Sequence, residues 1–138
     1  MSKKLLDATP SDATPQNSAA GAPPSQYVPK PTKVYLSEKD VKAEVKKILD
    51  SLPHCWWYMP VQAGYGEQGI PDFVGCIAGK FFAIETKYGK NTLSPWQDRQ
   101  RAGIVASKGF HFVVHEKNIV TIAHAMQFIS EAENVSSS

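Results

Sequence analysis

Hydrophobic residues recur at helical spacing after Ser37: Val41, Val45, Ile48, Leu49 and Leu52 fall on one face until Pro53 ends the pattern. Ser37 followed by Asp40 offers a cap for the start of that helix. Trp56-Trp57-Tyr58-Met59 is short and aromatic, as strands are, and leads into the glycine-punctuated stretch Ala63-Gly64-Tyr65-Gly66-Glu67-Gln68-Gly69. Residues 70–77 and 80–88 are β-prone runs separated by Ala78-Gly79, which predicts a tight hairpin with Gly79 at positive φ. Ser94-Pro95 places a capping hydroxyl before a proline at the first helical position, and Lys108-Gly109 offers a terminating glycine, so a second helix is predicted over 95–108. Phe110 to His115 reads as another strand, and Ile119, Ile122, Ala123, Met126 and Ile129 mark a last amphipathic helix. The order αβββαβα predicts an α/β (α+β) domain: a mixed four-stranded sheet flanked by helices, with a C-terminal helix.

Composition divides the chain. Six of the ten prolines lie at or before Pro31, among few aliphatic residues, so residues 1–33 are expected to be a disordered tail, 34–134 the folded domain and 135–138 a short tail. Four of the fifteen bases and two of the thirteen acids fall in the first tail, which leaves the domain neutral with eleven of each. A protein that merely coats nucleic acid carries a basic excess, so any phosphate contact here must come from a local cluster. Apolar runs fall short of the roughly 18 residues a membrane span needs, and no signal segment is seen, so a cytoplasmic protein without a membrane partner is expected. Cys55 and Cys76 lack CxxC spacing and read as buried thiols.

The hairpin carries the chemistry. With a two-residue turn at Ala78-Gly79, Ile77 faces Lys80, Val74 faces Ala83 and Asp72 faces Glu85. Lys87 falls on the same face as Glu85, and Phe73, Ile77, Phe82 and Ile84 fill the other, so the register that buries the apolar residues also assembles the acids. Opposed carboxylates about 5 Å apart repel by roughly 3 kcal/mol at an effective dielectric near 20. A divalent cation between them reverses that sign, and an oxygen-only donor set favours Mg²⁺.

Pro71-Asp72, twelve intervening residues, and then Glu85-Thr86-Lys87 resembles the signature of the PD-(D/E)XK nuclease superfamily. With Gly69-Ile70 before it, a hairpin within it, a helix ahead and Ser94-Pro95-Trp96-Gln97 after it, the set is similar to the VRR-NUC branch, especially small stand-alone nucleases of bacteriophages. The resemblance covers about residues 36–116 and implies a restriction endonuclease-like core. It implies metal held by Asp72, Glu85 and the backbone carbonyl of Thr86, with Mn²⁺ able to replace Mg²⁺, and Lys87 and Gln97 at the site. It also implies DNA cleavage leaving 5′-phosphate and 3′-hydroxyl ends, a cytoplasmic setting in a bacterial host, and kinship to resolvases of four-way (Holliday) junctions; a single small domain that must cut two symmetric strands is expected to be a two-fold homodimer.

The superfamily pattern includes a glutamate on the first helix, and this chain offers Glu38 and Glu44. With Val41 at zero the apolar stripe centres near 30°; Glu38 falls at about 60°, inside it, and Glu44 at about 300°, at its edge, which favours Glu38 with Glu44 as the alternative. On the second helix Gln97 and Gln100 share the side expected to face the sheet, where buried amides need partners. Lys90, Arg99, Arg101 and Lys108 are candidate phosphate contacts, and Tyr65 and Gln68 in the glycine-rich loop are candidate substrate contacts. Trp56 and Trp57 point to opposite faces, so one can be core and the other can serve a subunit contact or base stacking.

Two readings compete with a Mg²⁺-dependent endonuclease for branched DNA. A non-catalytic DNA-binding or scaffold module would keep the fold without cutting, although nothing then accounts for the opposed acids. A zinc protein would draw on His54, Cys55, Cys76, His111 and His115, whose spacing is poor for ligation.

Overall fold

The computed structural model describes residues 26–62 and 66–136. Helix α1 spans Glu38–Ser51; the Ser37 side chain accepts the Asp40 N–H at its start, and its apolar stripe is buried. Strands β1 (Cys55–Tyr58), β2 (Phe73–Ile77) and β3 (Lys80–Thr86) follow. Helix α2 spans Pro95–Ala106, β4 Phe110–Val114, and α3 Ile119–Ser136. The strands form one mixed sheet in the order β1-β2-β3-β4, antiparallel except between β3 and β4. A parallel pair needs a crossover, and α2 lies within it. The fold is therefore α+β, with helices flanking a four-stranded sheet and one helix at the C-terminal end. No helix among the described residues is long and apolar enough to cross a membrane.

The turn between β2 and β3 has two residues, both left-handed: Ala78 at φ 48 and Gly79 at φ 83. That geometry matches the right-handed twist of the strands and sets the pairing Ile77 with Lys80, Val74 with Ala83 and Phe73 with Ile84. Phe73, Ile77, Phe82 and Ile84 are fully buried against α1 and α3, in one core with Val41, Leu49, Val114, Ile119 and Met126. Burying each such side chain contributes about 1.5–3 kcal/mol. Trp57 joins this core, its ring centroid 5.6 Å from that of Phe73, while Trp56 on the opposite face is half exposed.

Three boundaries differ from the sequence reading. Residues 26–33 pack on the domain: Pro29 is buried, Tyr27 and Val28 lie against the core, and the Tyr27 N–H donates to Ser51 Oγ at 2.8 Å. Composition placed this strap in the tail because proline and lysine dominate it, yet two apolar anchors together with polar contacts to Ser51 and Glu44 hold it; residues 1–25 lie outside the described part. Helix α3 runs to Ser136, past the expected limit at 134. Helix α2 stops at Ala106, and the left-handed terminating residue is Lys108 at φ 73, with Lys108 N–H donating to the Val105 carbonyl and Gly109 N–H to that of Ile104. Gly109 serves space instead: a Cβ there would sit 3.0 Å from Ile104 Cγ2 and 3.2 Å from Phe81 Cδ2.

Candidate functional site

Strand β2 begins only at Phe73, so Asp72 stands one residue outside the ladder rather than paired with Glu85 within it. Its carboxylate takes over where strand pairing stops: Oδ2 accepts the Thr86 N–H at 2.9 Å and the Thr86 hydroxyl at 2.7 Å. Oδ1 is left to face other groups. The neighbouring Glu85 on β3 is 1% exposed. Its Oε1 accepts from Gln97 Nε2 at 3.1 Å, whereas Oε2 is buried without a hydrogen-bond partner. Burial, and next the charge of Asp72, push the Glu85 carboxyl up to about 8; Lys87 opposes the shift, while a side-chain hydrogen bond with Asp72 and then the charge of Glu38 add to it. The repulsion expected from the opposed acids is thus met, in the absence of metal, by a proton on Glu85 at neutral pH.

Gln97 links the two sides of this arrangement. Ser94 caps α2 by accepting the Gln97 N–H at 3.1 Å, and Gln97 Oε1 accepts the Ser94 N–H at 2.9 Å, which completes a capping box. The amide oxygen is committed to the cap, so its nitrogen is oriented toward Glu85. Gly69 lets the preceding loop lie directly on this helix start: it sits at φ 72, and a Cβ there would collide with the Trp96 carbonyl and the Gln97 nitrogen. Gln100, the second amide singled out in the sequence, reaches that loop instead of the acids, donating to Glu67 Oε2 at 3.0 Å and the Gln68 carbonyl at 2.9 Å. If these acids serve a metal-dependent activity, replacing Gln97 with Ala is expected to lower that activity by roughly ten- to a hundredfold, as loss of outer ligand-supporting contacts does, with a loss of about 1 kcal/mol from the cap in either case. Kinetics and urea unfolding of the same variant check both numbers.

Helix α1 contributes Lys42, which the sequence reading missed. Its Nζ lies 3.6 Å from Asp72 Oδ1 and 3.7 Å from Glu38 Oε2. The signal was available as an acid and a base four apart on the first turns of a helix. Glu38 therefore stands at the edge of the acidic pair, joined to it through an ammonium. Glu44 lies with the strap, accepting from Tyr27 Oη at 2.6 Å and pairing with Lys33 Nζ at 2.8 Å. The helical wheel ranked their burial the wrong way round. Glu44 is 1% exposed because the strap covers it, while over a third of the Glu38 side chain is open.

Lys87 is half-buried on the Glu85 face and makes no ion pair within 4 Å among the described residues. Of the basic candidates, Lys90 is exposed in the β3–α2 connection and Arg99 stacks on Trp96, 5.3 Å from the ring centroid. Arg101 is engaged by Asp98 at 2.9 Å. Lys108 lies past the C-terminal end of α2, whose stretch from Gln97 to Ala106 spans roughly 14 Å, so the structure does not bring it to the acids. Gln68 is exposed beside the helix start, and Tyr65 lies outside the described residues.

Among the described residues, no three His, Cys, Asp or Glu side chains gather closely enough to hold a metal by themselves. Cys55 and Cys76 lie on opposite faces of the sheet, with Cys76 exposed rather than buried as expected because it stands on the face of β2 away from the core, so the zinc set is dispersed. Asp72 Oδ1, which faces the Lys42 ammonium at 3.6 Å, and the buried Glu85 Oε2 are the carboxylate oxygens left without a hydrogen-bond donor, and this fits a hard cation that keeps several waters. No family model, curated protein or solved structure matches this chain. The resemblance to VRR-NUC nucleases rests on the quoted residues alone.

Proposed function

We propose that the chain is a Mg²⁺-dependent DNA endonuclease, selective for branched DNA such as four-way junctions. The observation that carries this reading is the buried, unpartnered Oε2 of Glu85 beside a second carboxylate with an oxygen to spare. Burial and the charge of Asp72 disfavour the ionised form of Glu85, a penalty that a bound cation removes. Asp72, Glu85 and the Thr86 carbonyl would hold Mg²⁺, with Mn²⁺ as a substitute; such an ion polarises a phosphoryl oxygen and lowers the pKa of a coordinated water.

The chain's own groups supply the rest. Gln97 fixes the Glu85 carboxylate so that its free oxygen keeps one direction. Lys87, one pleat beyond Glu85, orients the attacking water and offsets charge on the transferring phosphate. The water oxygen bonds to phosphorus as the P–O3′ bond breaks; one water proton goes to solvent, and O3′ takes a proton from solvent to leave as a hydroxyl. Lys90 and Arg99 are free to meet flanking phosphates. A two-fold dimer would offer two such sites to symmetric strands, with exposed Trp56 available for the subunit contact.

Labelled four-way junction, duplex and single-stranded DNA incubated with the protein and Mg²⁺ test the proposal. Cutting that is strongest on the junction, stops with chelator and disappears in Asp72→Asn and Lys87→Ala is the expected outcome. Equal cutting by wild type and both variants would place the chemistry elsewhere, and Mg²⁺ binding without cutting would favour the scaffold reading. Native mass measurement showing monomer alone would remove the dimer.

A further inference from the structure

Lys42 is a cation already resident where a metal would bind. Asp72 Oδ2 is engaged by the Thr86 N–H and hydroxyl, so Oδ1 is the oxygen that Asp72 has left for a cation. The Lys42 ammonium lies 3.6 Å from that atom and 3.7 Å from Glu38 Oε2, with a third of its side chain exposed. Both separations exceed the roughly 2.7–2.9 Å of a tight charge-assisted hydrogen bond, so the ammonium neutralises the acids without being locked to either. Lysine suits this duty: a compact charge on a flexible four-carbon stem can move while its backbone stays in the helix. Glu38, one turn earlier on α1, keeps the ammonium close by when Asp72 no longer holds it.

We propose that Lys42 competes with the divalent ion for Asp72 Oδ1, yields that oxygen when the ion binds, and then presents its ammonium to a phosphate of the bound DNA. The idea rests on the nuclease reading above and adds to it a positioning residue and a source of metal selectivity: a weakly held cation is displaced by a divalent ion more readily than by Na⁺ or K⁺. An ordinary structural salt bridge would have the opposite consequence, since its loss would loosen Asp72 and weaken metal binding.

Calorimetric titration of Mg²⁺ into wild type, Lys42→Met, Lys42→Gln and Lys42→Arg at one pH and salt concentration separates the two. Lys42→Met and Lys42→Gln are expected to bind Mg²⁺ about three- to fivefold tighter, the scale of a partly exposed ion pair, with Lys42→Arg close to wild type. The same uncharged variants should lose about one counterion from the salt dependence of DNA binding. Unchanged or weaker Mg²⁺ binding in both uncharged variants, with wild type binding normally, overturns the role of Lys42 and leaves the nuclease reading standing. Failure of wild type to bind Mg²⁺ at all overturns both.

Discussion

Glu85→Gln is expected to reduce hydrolysis by roughly a thousandfold while making the metal-free protein more stable at neutral and alkaline pH. The loss follows from removing one of the two free carboxylate oxygens offered to the cation. The gain follows from burial. Glu85 titrates at about 8 in the folded chain against an ordinary 4.5, because burial and then Asp72 disfavour its charge. A raised folded value means that the group's contribution to stability is intact below 4.5 and is progressively lost as pH climbs through 8. At pH 7 the accumulated penalty is on the order of 3 kcal/mol. Glutamine retains an oxygen for Gln97 and carries no charge, so the penalty vanishes. Urea unfolding of both proteins in chelator at pH 5 and pH 8 measures the crossover: near equality at the lower pH, the variant ahead at the higher. A variant that is less stable than wild type at pH 8, or that cuts DNA at the wild-type rate, contradicts the assignment of Glu85 as a metal-ready buried acid.

Glu44→Ala is expected to cost about 2 kcal/mol and to release the strap formed by residues 26–33. Burial alone would raise this carboxyl. Hydrogen bonds from Lys33 and Tyr27, together with the charges of Lys33 and Lys47, outweigh burial and hold it below the usual carboxylate range. Lys33 and Lys47 are themselves largely open to water, which is why the figure stays below that of a fully enclosed pair. A depressed folded value has the reverse pH signature from that of Glu85: the stabilisation is present above the ordinary carboxylate pKa and disappears as pH falls through the folded one. Trypsin reports the release at the Lys33–Val34 bond of the strap, since the Lys30–Pro31 bond is resistant to it. Wild type should resist cleavage there at pH 7.5 and the variant should be cut rapidly; equal rates would show that Tyr27 and Val28 hold the strap unaided.

The two glutamates also show where the sequence was informative. Element order and hairpin register followed from alternation and a two-residue turn, because the Phe73, Ile77, Phe82 and Ile84 face has a single way of being buried. The neighbourhood of Asp72 and Glu85 followed from that register, whereas Thr86 and Gln97 were placed beside them by the family resemblance. What did not follow came from contacts made across long separations. The wheel for α1 measured burial against the sheet and so misjudged Glu44, which is covered by a segment seventeen residues earlier through Tyr27. Lys42 was passed over because its bond to Asp72 crosses from helix to hairpin. Gln100 faced the expected side yet found the loop before it found the acids.

Asp72 completes the open end of the β2–β3 hairpin with its side chain, and this joins function to mechanics. The atom that grips Thr86 and the atom offered to the solvent side belong to one rigid carboxylate, so the aim of the reactive oxygen is inherited from the closure of the hairpin. Breathing of that end would swing the aspartate off target long before the rest of the molecule came apart. On the nuclease reading, disarming would precede denaturation, and hydrogen exchange at the Thr86 amide, which donates to Asp72 Oδ2, is expected to gauge the share of the population with the hairpin end closed.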